Sequence, residues 1–113
     1  MPMIDSKITV PVSEEKKDIL KAEFGKAVSV LGKSESYLMV GFEDNYSLYF
    51  GGKKLEKGAF VSVQLLGDVD AQASSRMSAE ICAILSRELG IPGDKVYITY
   101  SGFKNWGWNG GNF

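Results

Sequence analysis

With 113 residues, 44% hydrophobic and 24% charged, the chain has the composition of one folded domain, small enough for association with further copies to add to its stability. Thirteen Lys and Arg against fourteen Asp and Glu leave a net charge of −1, so no strong field invites nucleic acid or an anionic membrane. There is no histidine and one cysteine, which excludes Ser-His-Asp and Cys-His triads, thiol zinc sites, Cys-x-x-Cys redox pairs and internal disulfides.

What remains for acid and base work is carboxylates, lysines, tyrosines and the terminal amine; neither a metal nor a cofactor is called for. No run of about 18 apolar residues is present and the N-terminus lacks the apolar stretch of a signal peptide. The chain therefore reads as cytoplasmic, or as exported by a non-classical route.

The first strand is expected at the N-terminus, where Ile4, Ser6, Ile8 and Val10 alternate with Met3, Asp5, Lys7 and Thr9, and Pro11 ends it. Ser13 can cap the next helix, Glu14 and Glu15 suit its positive end, and Leu20, Phe24, Ala27, Val28 and Leu31 recur at helical spacing before Gly32. Residues 37–42 form an apolar, strand-like run, followed by the Asp44-Asn45 turn signal and a short segment, 48–50, before Gly51-Gly52.

The order then repeats. Ala59–Leu66 reads as a strand broken by Gly67; Met77, Ile81, Ile84, Leu85 and Leu89 read as a helix stopped by Gly90; residues 95–100 form a β-branched and aromatic strand after the Pro92-Gly93-Asp94 turn. Cys82, within the apolar helix, reads as a small core residue. Leu31-Gly32 and Leu89-Gly90 are equivalent punctuation about 58 residues apart, which suggests a duplication. Residues 1–113 are thus expected to form a single α/β (α+β) domain, two β-α-β units making a four-stranded mixed sheet with two helices across one face. The tail from 102 to 113 carries two tryptophans and two phenylalanines in a segment too short for its own core, so those rings need a surface: the parent domain, a neighbouring subunit or a pocket wall.

Met1-Pro2 adds a chemical option. Removal of Met1 leaves a secondary amine, and an α-amino group with an ordinary pKa of about 8 reaches the working range of a general base once burial or a nearby cation lowers it. Taken alone, the dipeptide is the mark of routine N-terminal processing.

In register along the chain stand Met1-Pro2-Met3, Leu31-Gly32-Lys33, Phe50-Gly51-Gly52, Leu66-Gly67, Asp94-Lys95-Val96-Tyr97-Ile98 and Gly107-Trp108-Asn109, with Phe113 last. In these the sequence resembles the macrophage migration inhibitory factor family of the tautomerase superfamily, nearly end to end. The resemblance implies a homotrimer whose sheets enclose a central channel, with active sites between subunits. It implies that Pro2 is the catalytic base, that Lys33 neighbours it, that the Leu66 backbone amide faces the substrate, and that Tyr97 comes from the adjacent subunit. Met3, Tyr37, Trp106, Trp108 and Phe113 match positions around an aromatic-binding cavity.

Thr99 stands where the family's human member has an asparagine, which removes one amide hydrogen-bonding group. Trp106 replaces a smaller aliphatic residue and should narrow the pocket mouth or add a stacking wall. The family's Cys-x-x-Cys falls at Gly58-Ala59-Phe60-Val61, so no redox function transfers.

The expected activity is keto-enol tautomerisation of a small aromatic 2-oxo acid of the phenylpyruvate type, with dopachrome as a further substrate. It needs a base at carbon, a donor for the enolate oxygen and an apolar slot for the ring. For Lys33 a cation beside a helix C-terminus is the competing reading, for Tyr97 simple packing on the sheet, and for Trp108 and Phe113 interface contacts. A cytokine-like, receptor-binding protein with vestigial tautomerase activity is the alternative from another class. Decarboxylase-like variants usually bring arginines to the pocket, whereas Arg76 and Arg87 both fall in the second helix.

Overall fold

Strand β1 (Pro2–Ile8) alternates along its whole length, with Pro2, Ile4, Ser6 and Ile8 buried. In this computed structural model, which describes every residue from Met1 to Phe113, the strand stops before Val10. There the backbone is claimed by other segments: Thr9 N–H donates to Gly58 O at 3.1 Å and Asn45 N–H to Val10 O at 3.3 Å.

Helix α1 (Glu14–Ala27) begins where Ser13 Oγ accepts the Lys16 N–H at 3.1 Å, as the capping signal predicts. Its last turn tightens into a 3₁₀ turn, Val28–Leu31, and Gly32 at φ 71° reverses the chain. The expected strand at 37–42 is shifted: Tyr37 belongs to a 3₁₀ turn, Glu35–Tyr37, started by Ser34, and β2 runs Met39–Glu43. Asp44 then does more than turn the chain, its carboxylate accepting Val12 N–H at 2.8 Å across the loop.

The short segment at 48–50 is one arm of a hairpin, β3 (Tyr49–Phe50) with β4 (Lys53–Lys54). β5 (Ala59–Leu66) is followed by α2 (Ala71–Leu89), capped by Asp70 at its start and by Gly90 at φ 67° at its end. β6 (Val96–Phe103) continues beyond the expected Tyr100, and the aromatic tail folds into a small hairpin, β7 (Gly107–Trp108) with β8 (Gly111–Asn112).

The four main strands make one mixed sheet in the order β2-β1-β5-β6, the central pair antiparallel and both outer pairs parallel. The two β-α-β halves are therefore related by a pseudo-twofold axis between β1 and β5. Both helices cover one face, where Ile4, Ile8, Val61, Val63 and Leu65 meet Leu20, Phe24, Met77, Ile81 and Leu85. Each such side chain contributes about 1.5–3 kcal/mol on burial, so this face dictates the register. Lys16 of α1 also bridges to Glu88 of α2 at 3.1 Å. Cys82 packs beside Gly93, and burial pushes its thiol up, as befits a packing residue.

The other face of the sheet carries no helix, and its cross-strand rows run Met39-Met3-Gln64-Ser101 and Glu43-Lys7-Phe60-Tyr97. No helix is long and apolar enough to cross a membrane.

Candidate active site

Register fixes which residues can meet. Pro2 opposes Leu65, and Leu65 lies beside Gly102, so the start of β1 and the ends of β5 and β6 converge at one end of the sheet. Three hydrogen bonds tie that end together. Leu66 N–H donates to Met1 O at 3.0 Å, Gly67 N–H donates to Phe103 O at 2.8 Å, and the Lys33 ammonium donates to Leu66 O at 2.9 Å. Lys33 reaches this point because the left-handed Gly32 turns the chain off the helix and back over the sheet. Gly102 is required for a different reason: a Cβ there would run into the carbonyl of Gly67, a backbone group that cannot swing aside.

Beside Pro2 opens a cleft of about 680 Å³, walled by Met1, Met3, Leu38 and Met39 on the strand side and by Phe103, Trp106 and Trp108 on the tail side. The aromatic wall is organised ring on ring. Tyr37 meets Trp108 edge-on at 6.0 Å, Phe103 meets Trp106 at 6.2 Å, and Phe113 stacks on Trp108 at 6.2 Å. The Phe113 N–H donates to Trp106 O at 3.1 Å, which pins the end of the tail. Ser36, Gln64 and Asn105 supply the polar part of the lining. A slot of this kind takes a planar ring and leaves few places where a charged group is satisfied.

The electrostatics weaken the hold of the terminal amine on its proton. Partial burial, and after it the Lys33 ammonium, hold the Met1 amino group below its ordinary value. Pro2 itself is buried, its nitrogen acylated by Met1.

Of the expected site residues, Pro2, Met3, Tyr37, Trp106 and Trp108 line the cleft. Lys33 and Leu66 join it through hydrogen bonds, and Phe113 backs Trp108. Tyr97 and Thr99 lie elsewhere in the same chain. Tyr97 pairs with Phe60 on β6, five residues before Gly102, which at the strand rise puts it roughly 16 Å from the Pro2 end. It is 61% exposed, its ring tilted on Phe50 at 5.4 Å. Within one subunit Tyr97 is thus out of reach of a ligand at Pro2, and neither Tyr97 nor Thr99 is among the residues lining the cleft.

Sequence reasoning missed Met39, Gln64, Phe103 and Asn105. The cross-strand row holding Met3 would have found Met39 and Gln64, but only after the register was known. Phe103 and Asn105 carry no local signal.

The match to known proteins is as extensive as the site geometry suggests. Residues 1–113 match the family model described as macrophage migration inhibitory factor (MIF). The chain belongs to the macrophage migration inhibitory factor family. Among its relatives is the MIF homolog of Trichuris trichiura, 31% identical with all of both chains covered, and rat MIF is 28% identical over 100% of this chain and 99% of its own. The crystal structure of Leishmania major MIF2 superposes with a TM-score of 0.92 at 31% identity, covering 100% of this chain and 97% of that one. The sheet and helices described above are therefore the MIF arrangement, a tautomerase superfamily fold.

Proposed function

We propose that this protein is a keto-enol tautomerase for phenylpyruvate-type 2-oxo acids, with the Pro2 amine as general base after removal of Met1. One observation carries the reading: the Met1 carbonyl that acylates Pro2 is also the group that occupies the Leu66 N–H. Loss of Met1 would bare a secondary amine and a backbone donor together, side by side at the mouth of an apolar cleft.

In the ketonising direction the free amine takes the enol O–H proton and delivers it to the adjacent alkene carbon, and in the reverse direction the free amine removes that carbon-bound proton and returns it to the oxygen. The Leu66 N–H is a donor for the negative charge that develops on the enolate oxygen. Lys33 spends one of its three N–H bonds on Leu66 O, leaving two for the substrate carboxylate. The ring enters the slot between Met39 and Trp108. The burial and the Lys33 charge that lower the terminal amine at Met1 would act in the same direction on an amine one residue further in.

Tyr97, with Thr99 two residues along the same strand, is assigned to the site of a second copy, because neither lines the cleft beside the Pro2 of its own chain. This is the arrangement expected of a trimer with sites between subunits. Light scattering tests it, and a stable monomer would contradict the shared site. Proton exchange at the carbon next to the ketone, compared between the native protein and Pro2→Gly, tests the base; equal rates would sink its role. Mass spectrometry of the N-terminus tests the premise, since an acylated Pro2 nitrogen is no base and a retained Met1 would favour a receptor-binding protein.

A further inference from the structure

At the opposite end of the sheet from Pro2, a second groove of about 640 Å³ lies between the β3–β4 hairpin and the C-terminal end of α2. Its character is the reverse of the first. Lys53, Lys54, Lys57 and Lys95 line it, with Glu56 the one acid among the lining residues. The ion pairs of the chain use Lys16, Lys17, Lys26 and Arg87, so none of the four groove lysines has a carboxylate within ion-pair distance. In a chain of net charge −1, this is a local concentration of unneutralised positive charge.

The groove is also held in shape. Lys53 is the cross-strand partner of Phe50, and the Lys95 ammonium sits over the Phe50 ring, 4.9 Å from its centre. The loop bearing Lys57 is fixed on both sides: Thr9 Oγ1 donates to Glu56 O at 2.9 Å and accepts the Gly58 N–H at 2.9 Å, and Leu55 N–H donates to Leu48 O at 2.9 Å. Lys57 Nζ comes to rest against Gly90, where a Cβ would meet it at 3.4 Å. Two of the α2 carbonyls at that end are taken, Leu85 O by the Ile91 N–H and Ser86 O by the Gly90 N–H.

We infer that this groove is a binding site for a soluble compound bearing clustered phosphates. Three ammonium groups on different elements, Lys53, Lys57 and Lys95, facing one recess repel one another until a multiply charged anion enters. Lysine is a point-charge phosphate binder with freely rotating donors, and the recess falls within the roughly 300–1,000 Å³ of small-molecule sites. Its short length suits one compact ligand rather than a nucleic-acid strand. Nothing in the inference depends on Pro2.

The test uses inorganic tripolyphosphate, titrated into the full chain at near-physiological salt by calorimetry and by amide chemical shifts. Shifts centred on Phe50, Lys53, Lys57 and Lys95 are expected, with sulfate at equal ionic strength binding far more weakly. Lys57→Gln and Lys53→Gln should each weaken binding by about tenfold, the effect of losing one charge-assisted contact, while Lys21→Gln, which removes the same charge from the surface of α1, leaves it unchanged. Shift mapping on the unaltered protein covers the case of a variant that fails to fold. Equal weakening by Lys21→Gln, shifts centred on the Pro2 cleft, or sulfate binding as tightly as tripolyphosphate would each overturn the site. Retention on vesicles carrying phosphoinositide bisphosphates, without affinity for tripolyphosphate, would overturn the assignment to a soluble ligand.

Discussion

Gly102→Ala puts one methyl group where the structure has no room and the neighbour cannot yield. The added Cβ would collide with the Gly67 carbonyl and press on Val69 Cγ2 at 3.4 Å, so the ends of β5 and β6 must move apart. Overpacking against a fixed neighbour costs about 1–3 kcal/mol, and the strain falls on the bond from Gly67 N–H to Phe103 O, now 2.8 Å, whose loss adds about 1 kcal/mol. For a domain of this size that lowers Tm by roughly 8–17 °C. The same displacement shifts Leu66, one residue before Gly67, and Phe103, one after Gly102, so tautomerase turnover should fall by about 10- to 100-fold.

Gly111→Ala is the control, because a Cβ there meets nothing within 4 Å and the backbone is not left-handed; it should change stability by less than about 0.5 kcal/mol. Thermal unfolding at one protein concentration, followed by ketonisation of an aryl enol, measures both effects. If Gly102→Ala melts together with Gly111→Ala and keeps its turnover, the close approach does not hold the site and the reasoning fails.

Ser6→Ala should stabilise the protein. The Ser6 hydroxyl is fully buried without a partner, so its removal relieves about 1–3 kcal/mol of desolvation and loses only slight contact; the urea midpoint should rise with an unchanged slope. Lys33→Met removes a charge that lowers the terminal amine, so the amine holds its proton to higher pH. The acid limb of the kcat/KM profile should move upward, and activity at neutral pH should fall even where activity on the alkaline side persists. Co-assembly of equal amounts of Pro2→Gly and Tyr97→Phe chains should recover activity that neither has alone, with about one quarter of the sites holding both native groups under random mixing. Sites contained within one chain would give only the average of the two parents.

Where one residue type decides the local conformation, the sequence was transparent: Ser13 caps the first helix, Gly32 and Gly90 reverse the chain after the helical segments, and both amphipathic stripes face the core. Boundaries failed where a distant partner decides. β1 stops at Ile8 because loop residues from 45 and 58 capture the next backbone groups, and Tyr37 leaves β2 because Ser34 starts a turn there. The cleft was legible as a set of rings needing a surface, and the resemblance supplied Pro2, Lys33 and Leu66. Met39, Gln64 and Phe103 enter it only through strand register, which no local pattern encodes. The burial of Ser6 was equally hidden, since alternation identifies the inward face but not whether a hydroxyl on it finds a partner.

The pseudo-twofold axis between β1 and β5 builds the same architectural position twice. Met3 beside Met39 at one end of the sheet corresponds to Phe60 beside Tyr97 at the other, and the start of β1 corresponds to the start of β5. A polypeptide has only one amino terminus, however, so only one of the two ends can ever carry a free backbone amine. The duplicated end, whose Ala59 nitrogen is locked in a peptide bond, was left free to acquire other work. It holds Tyr97, which we assign to a neighbour's site, and the lysine-lined groove.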